Sequence, residues 1–182
     1  NAKYVTAKAM KDSGYLSGMG EIDAASDSVA GKVELAIASE VNTGTDTGRA
    51  ITPDALAGSN LGIRLMSIKV TDDATALTTG DSKFVFMIPA EMNGMNLVSV
   101  AAYCSTVSSS GLPTFQIRNV TDTHDMLSTK VSIDASAFTS VTATTPAVID
   151  AGEDDVVTAD IIAIDCDVAG TGCKGAGVIL GF

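Results

Sequence analysis

Short apolar segments separated by turn residues recur at intervals of about ten residues from Leu61 to the end of the chain. This spacing is typical of antiparallel strands that pack as a sandwich or a barrel. We place strands at 63–70, 82–89, 96–107, 114–121, 126–134, 146–150, 160–168 and 175–182. Eight strands favour an antiparallel, jelly-roll-like β-sandwich over residues 61–182.

The composition agrees with a mainly β fold. Aromatic residues are only 4% of the chain and Trp is absent, so small and β-branched side chains must supply most of the core. These side chains pack well on pleated sheets. The alternation around Phe84 and Phe86 leaves both faces of that segment largely apolar, and a second apolar face needs a partner.

Two local patterns set the limits of the strands. The pair Asn93 and Gly94 lies between two apolar runs and predicts a tight hairpin, because such a turn requires residues that tolerate positive φ. Val178, Leu180 and Phe182 end the chain on an apolar strand face. We expect Phe182 to be packed within the domain or at a subunit interface.

Residues 1–60 differ from the rest and lack the pattern of an independent domain. Thr52 can cap a helix that begins at Pro53, since proline has no N–H to leave unpaired, and Gly58 offers a stop. This helix is about one turn long, far below the roughly 12 residues that an isolated helix needs in water. Residues 33–37 predict a short strand with one apolar face.

A second copy of the capped turn occurs near the start of the chain. Sliding the sequence by 46 positions sets KYVTAKAMKDS at 3–13 over RAITPDALAGS at 49–59, with Thr, Ala and Ser identical. An internal repeat predicts that Asn1 falls within a repeat unit and that the chain is a fragment of a longer repetitive protein. The alternative is that two short Thr-capped turns resemble each other by chance.

The segments SDSVAGKVELA at 26–36 and EVNTGTDTGRAITPDALA at 40–57 resemble the repeat of tailed-bacteriophage fibre proteins, which occurs in tail fibres and in head fibres. The opening KYVTAKAM at 3–10 is similar to the end of another copy, with Ala7 where the family often has proline. The resemblance gives almost no information on whether the fibre is a tail fibre or a head fibre. It implies an elongated, homotrimeric structural protein.

We therefore expect residues 1–60 to form a trimerising stalk without a fold of its own, followed by the sandwich at 61–182. Isolated pieces of this length cannot offset the roughly 1–2 kcal/mol of backbone entropy that each ordered residue costs. Three copies wound about an axis would instead bury apolar side chains against one another. The side chains expected at this intertwined trimer interface are Val5, Met10, Val33, Leu35, Ile37, Ile51 and Leu56. The axis would also present loops 108–113 and 150–155 in triplicate, which raises weak attachment to useful avidity.

The charge of the chain argues against two classes of partner. The net charge is −11, and residues 61–182 hold 14 acidic and 6 basic residues. Nucleic acids and anionic membranes both require clustered Lys and Arg, so we expect neither as a partner. No segment reaches the roughly 18 consecutive apolar residues of a membrane span.

The sequence offers little catalytic chemistry. His124 is the only histidine and lies in a polar turn, and no Gly-x-Ser-x-Gly nucleophile elbow accompanies it. Three copies could meet at an axis and bind a metal, but one histidine per chain makes a weak site. We interpret His124 as a loop residue.

An acidic cluster at 150–155 is the most prominent polar feature. Asp150, Glu153, Asp154 and Asp155 could supply some of the about six to eight oxygens that calcium requires. They lack the alternating spacing of a dedicated calcium loop, so a solvated loop is the favoured interpretation. Paired carboxylates could also serve a glycosidase, but the chain has no Trp to hold a sugar. We expect no cofactor and no enzymatic activity.

The cysteines suggest a disulfide. Cys166 and Cys173 flank a short Gly-containing segment. In a hairpin closed over that segment, opposed Cβ atoms would lie about 4.5 Å apart, close to what a disulfide requires. We predict a Cys166–Cys173 bridge that forms after release from the reducing cytoplasm and leaves Cys104 buried and free.

Two structural functions are in contention, with an enzymatic one as a lesser alternative. The first is a tail fibre whose sandwich tip attaches to a glycan or protein of the host surface. The second is a head fibre or decoration protein fixed to the capsid. The lesser alternative is a fibre-borne polysaccharide hydrolase. All three place the protein in the virion, in contact with its own copies and with tail, baseplate or capsid proteins.

Overall fold

The computed structural model describes residues 33–182 of the chain. The helical turn predicted near Thr6 and the expected interface residues Val5 and Met10 lie outside these residues. The chain divides into two compact units, with the boundary between Gly62 and Ile63. We describe the N-terminal unit over 33–62 and the C-terminal unit over 63–182.

The N-terminal unit contains two very short strands and two short helices. They are β1 (Glu34–Leu35), α1 (Ala38–Thr43), β2 (Arg49–Ala50) and α2 (Pro53–Ala57). The two strands pair in parallel, so the segment between them, which includes α1, forms a crossover. The buried apolar residues described in this unit are only Ala36, Val41 and Ala55, which makes a very small core.

The helix predicted at Pro53 forms, and its cap is confirmed. The Thr52 hydroxyl accepts a hydrogen bond from the Ala55 amide at 3.1 Å, which satisfies one donor that a helix start leaves unpaired. Gly58 follows α2 in the right-handed region, so α2 ends without the left-handed residue that is common at this position. Helix α1 was not predicted, and it ends at Gly44 with a left-handed φ of 65°.

The C-terminal unit consists of antiparallel sheets, which confirms the mainly β prediction. Its strands are β3 (Leu65–Lys69), β4 (Gly80–Met87), β5 (Met95–Asn96), β6 (Ser99–Tyr103), β7 (Thr114–Asn119), β8 (His124–Asp125), β9 (Leu127–Thr129), β10 (Val131–Ser132), β11 (Val148–Ile149), β12 (Asp155–Val156), β13 (Ile161–Val168) and β14 (Gly177–Gly181). One sheet has the order β10-β7-β13-β4, with β8 also paired to β7, and another has the order β3-β14-β6. The pairs β5–β12 and β9–β11 form two small ladders.

Both larger sheets contribute side chains to one buried core. Side chains alternate across a strand, so each central strand turns every second residue towards this core. Fully buried core residues of the central strands are Phe115, Ile117, Ile162, Ile164, Val178 and Leu180. Phe182 is only 3% exposed and belongs to the same core, which confirms that the chain ends on a packed residue.

Two connections differ from the sequence predictions. The segment predicted as one strand at 126–134 is divided into β9 and β10, since β9 pairs with β11 whereas β10 pairs with β7, as does β8 just before the segment. The predicted hairpin at Asn93 and Gly94 is wrong, because β5 pairs with β12 and β6 pairs with β14. Asn93 has φ −58° and Gly94 has φ 75°, the values of a type II turn, in which only the second residue needs positive φ.

The loops of the C-terminal unit collect at two opposite ends. Residue 63 leads into β3, whose first residue pairs with Gly181 at what we call the near end. Segments 88–98, 120–123 and 150–160 also lie at the near end, where the Leu97 amide donates to the Asp154 carbonyl at 2.7 Å.

The opposite end, which we call the far end, carries loops 70–79, 104–113, 133–147 and 169–176. These loops are hydrogen-bonded to one another, for example from the Ser105 amide to the Lys174 carbonyl at 3.0 Å. The two loops expected to face a host in triplicate, 108–113 and 150–155, therefore lie at opposite ends. They cannot both belong to one attachment surface.

Candidate functional site

Exposed apolar side chains are the most prominent feature of the N-terminal unit. Leu35, Ile37 and Ile51 are 59%, 62% and 58% exposed, and Val33 and Leu56 are also exposed. All five are the described members of the predicted trimer interface. Because large exposed apolar surfaces mark binding sites for other proteins, these side chains are the candidate binding surface of this unit.

Arg49 joins the elements of this unit through ion pairs. Its Nη2 lies 3.3 Å from Glu34 Oε1, its Nη1 lies 2.9 Å from Asp46 Oδ2, and Nη1 also pairs with Glu40. The hydrogen bond with Glu34 and the neighbouring carboxylates raise the pKa of Arg49, although its burial acts in the opposite direction. The pairs connect β1, α1 and the loop before β2.

A cavity of about 180 Å³ lies beside Arg49. Ala36, Val41 and Ile51 provide its apolar lining. Ligand pockets typically hold about 300–1,000 Å³, so this cavity is nearer in size to one inserted side chain than to a cofactor.

The four calcium candidates make separate contacts. Asp150 Oδ1 accepts a hydrogen bond from the Gly152 amide at 3.1 Å, and Asp154 Oδ1 accepts one from Asn96 at 2.7 Å. Glu153 Oε2 lies 3.3 Å from His124 Nε2. Asp155 is exposed at the start of β12. Within residues 33–182, no group of three or more His, Cys, Asp or Glu side chains is placed to hold a metal ion. The cluster is therefore not assembled as a calcium site in the described chain.

His124 begins β8 rather than lying in a loop. Its Nε2 is 3.3 Å from Glu153 Oε2 and 3.9 Å from Asp122 Oδ2. Its Nδ1 is buried and has no hydrogen-bond partner among the described residues. The imidazole thus bridges the turn after β7 and loop 150–155 at the near end.

Asn119 and Asp160 form a buried polar pair next to the turn after β7. Asn119 and Asp160 are 0% and 2% exposed, and Asn119 Nδ2 donates to Asp160 Oδ2 at 3.1 Å. The same carboxylate oxygen accepts a hydrogen bond from the Val157 amide at 2.8 Å. These bonds satisfy a carboxylate that would otherwise be costly to bury, so we assign Asp160 a structural role.

Arg118 and Asp165 form an ion pair between β7 and β13 that was not predicted. Arg118 Nε donates to Asp165 Oδ2 at 2.8 Å, and the Ser82 amide donates to Asp165 Oδ1 at 2.5 Å. Burial opposes ionisation of Asp165, but these hydrogen bonds outweigh it and hold the pKa of the carboxyl below its ordinary value. The available signal was an acidic residue between the apolar positions Ile164 and Cys166, which implies a charged partner on the neighbouring strand.

The predicted cross-strand geometry of Cys166 and Cys173 is wrong. Cys166 lies in β13, which pairs with β4 and β7, whereas Cys173 lies in the loop before β14 in the other sheet. The two cysteines therefore do not face each other across a hairpin. All three cysteines are buried and free, and Cys173 interacts with Cys104 instead.

Comparisons with protein-family models, curated proteins and solved structures found no match to this chain. Over residues 33–182, no helix is long and apolar enough to cross a membrane.

Proposed function

We propose that this chain is a structural protein of a tailed-bacteriophage virion. In this proposal three copies form a homotrimeric fibre, the N-terminal unit is the trimerising stalk, and the C-terminal unit is a jelly-roll-like β-sandwich that serves as the host-attachment tip. The chain has no enzymatic role. Its partners are its own copies, other virion proteins and the host surface.

One observation carries the proposal. The described N-terminal unit buries only three small apolar residues and leaves six larger ones exposed, the five expected at the interface and Leu61. Such a core cannot offset roughly 1–2 kcal/mol of backbone entropy for each ordered residue. Partner copies would supply the burial that the described residues of this unit lack, in keeping with what the resemblance of segments 26–36 and 40–57 to fibre repeats implies.

Association would supply the missing burial. Covering the exposed half of a Leu or Ile side chain contributes on the order of 1 kcal/mol. Leu35, Ile37 and Ile51 are each more than half exposed. Covering these three side chains in each of three chains would therefore add to the stability of the trimer. The cavity beside Arg49 would also accept one apolar side chain of a neighbouring copy.

Labelling of intact particles tests the assignment. We expect an antibody raised against residues 63–182 to bind the free ends of tail fibres in electron micrographs of purified phage. Labelling of the capsid shell would contradict the tail position and favour a head fibre or decoration protein. Particles without label would contradict the virion assignment itself.

A further inference from the structure

We propose that three loops at the far end form the contact surface of the proposed tip, and that this surface binds a neutral, hydroxyl-rich polysaccharide. The loops are 104–113, 134–145 and 169–174, and we call them the far-end platform. The inference rests on the proposed function, because it assigns the host-side partner of the same tip.

The far-end platform is held together by a buried serine. Ser108 is 1% exposed, and its hydroxyl donates to the Ser110 carbonyl at 2.6 Å and accepts from the Thr171 amide at 2.9 Å. Its carbonyl accepts a hydrogen bond from the Ser136 amide at 2.8 Å. One side chain and its carbonyl therefore link all three loops. A surface fixed in this way loses little conformational entropy when it binds a ligand.

Gly170 allows this close approach. It has a φ of 66°, and a Cβ at this position would lie 2.3 Å from the Ser108 oxygen. Any side chain here would push loop 169–174 away from loop 104–113. The packing of the loops is thus specific rather than incidental.

The two ends of the C-terminal unit differ in the number of charged residues that they carry. The charged residues of the far-end platform are Asp134 and Lys174, and the Asp134 carboxylate is bonded to the Thr144 amide at 2.9 Å. The neighbouring loop 70–79 adds Asp72 and Asp73, of which Asp73 pairs with Lys69. Carboxylates of the near-end segments are Glu91, Asp122, Asp150, Glu153, Asp154, Asp155 and the buried Asp160. The far end is therefore the one that can touch a surface without stripping water from many charges.

The position of the far-end platform suits a contact surface. Residue 63, where the chain enters the C-terminal unit, lies at the near end. The far-end loops are consequently on the side away from the point where the stalk segment joins this unit.

The chemistry of the far-end platform favours a neutral sugar polymer. Twelve of its residues are Ser or Thr, and ten of these are exposed, so hydroxyl groups cover much of it. Phe138 and Val141 are 60% and 79% exposed and offer apolar surface to the C–H faces of sugar rings. The platform contains no Trp, Tyr or Arg, the residues that dominate protein–protein hot spots, and Phe138 is the aromatic ring that would contact a sugar in place of the missing Trp. A single lysine gives an anionic polymer little to bind.

The test measures binding of the full chain to immobilised bacterial polysaccharides, one set neutral and one set containing uronate or phosphate. We expect binding only to members of the neutral set, with little change when salt rises several-fold, since no ion pair contributes. Phe138→Ala should weaken binding at least tenfold. Val157→Ala, which removes an exposed apolar side chain at the near end, is the matched control and should leave binding unchanged.

Binding confined to the anionic set, absence of binding to every neutral polysaccharide, or an equal effect of the two substitutions would overturn the inference. The molar mass of the same samples separates this outcome from failure of the fibre proposal. A trimer that binds no neutral polysaccharide refutes only the sugar assignment. A monomer refutes the fibre.

Discussion

At the residue scale, the buried carboxylate of Asp165 is paired with the partly buried Arg118. The Asp165 carboxylate accepts hydrogen bonds from the Arg118 guanidinium and from the Ser82 amide, so its charged form is favoured in the folded state. The pKa of Asp165 is lower in the folded than in the unfolded chain. Its contribution to stability is therefore fully present above the unfolded pKa and is lost as the pH falls through the folded pKa.

Asp165→Asn should lower the free energy of unfolding by roughly 1–3 kcal/mol at pH 7, because it leaves Arg118 without its carboxylate. The difference from the original chain should begin to shrink as the pH falls below about 3.9, the pKa of an unfolded Asp, and shrink further towards the lower pKa of Asp165 in the folded chain. Urea titrations at several pH values measure both effects. Glu91→Gln, at an exposed position, is the control and should change little. A loss of stability that is the same at pH 3 and pH 7 would contradict the ion-pair account.

The cysteines give a second residue-scale prediction. Burial raises the pKa of Cys166 to about 11 and that of Cys173 to about 12, and it also raises the pKa of Cys104. We expect thiol titration of the denatured, unreduced protein to find three thiols per chain, and the native protein to react slowly near pH 8, because little thiolate forms. A count of one thiol per chain would instead show that two of the three cysteines are joined in a disulfide.

At the element scale, the sequence revealed strands better than their pairing. A period of two in side-chain polarity is a local signal, and it placed β4, β7, β13 and β14 within a few residues of their observed limits. Pairing depends on distant parts of the chain, so the partner of β5 and the break in segment 126–134 could not be seen locally.

Among the candidate surfaces too, features that depend on adjacent residues could be predicted from the sequence, and features that depend on the tertiary fold could not. The Thr52 cap and the apolar side chains of the N-terminal unit were visible in the sequence, because each depends on a few adjacent residues. The ion pairs of Arg49 and the buried hydroxyl of Ser108 were not, because each requires residues that only the tertiary fold brings together.

The Thr52 cap provides an element-scale prediction. Thr52→Ala removes the acceptor of the Ala55 amide and should cost about 1 kcal/mol of stability in the N-terminal unit. Since this unit is the proposed trimerising segment, the midpoint of thermal dissociation of the trimer should fall. Thr45→Ala, at an exposed position outside both helices, is the control. Equal shifts for the two variants would show that the cap does not support assembly.

At the scale of the whole molecule, the two described units differ in how much core each possesses. The C-terminal unit has an extensive buried core of its own, whereas the described N-terminal unit has three small buried apolar residues. Leu35→Asp should therefore prevent assembly and leave the C-terminal unit folded, because a charge would have to be buried at the proposed trimer interface. Sedimentation velocity measures assembly, and the β-sheet circular dichroism signal measures folding.

Val141→Asp places the same charge at an exposed site of the C-terminal unit and should not change the sedimentation coefficient beyond the effect of added charge. If the Leu35→Asp variant sediments like the original chain, Leu35 does not lie at the interface.

The molar mass of the purified chain tests the trimer most directly. Light scattering across a range of concentrations should give about three times the chain mass of 18.4 kDa, because the proposed trimer covers the exposed apolar side chains of the N-terminal unit. A stable, well-folded monomer of 18.4 kDa that contains the N-terminal unit would contradict both the trimer and the fibre assignment that depends on it.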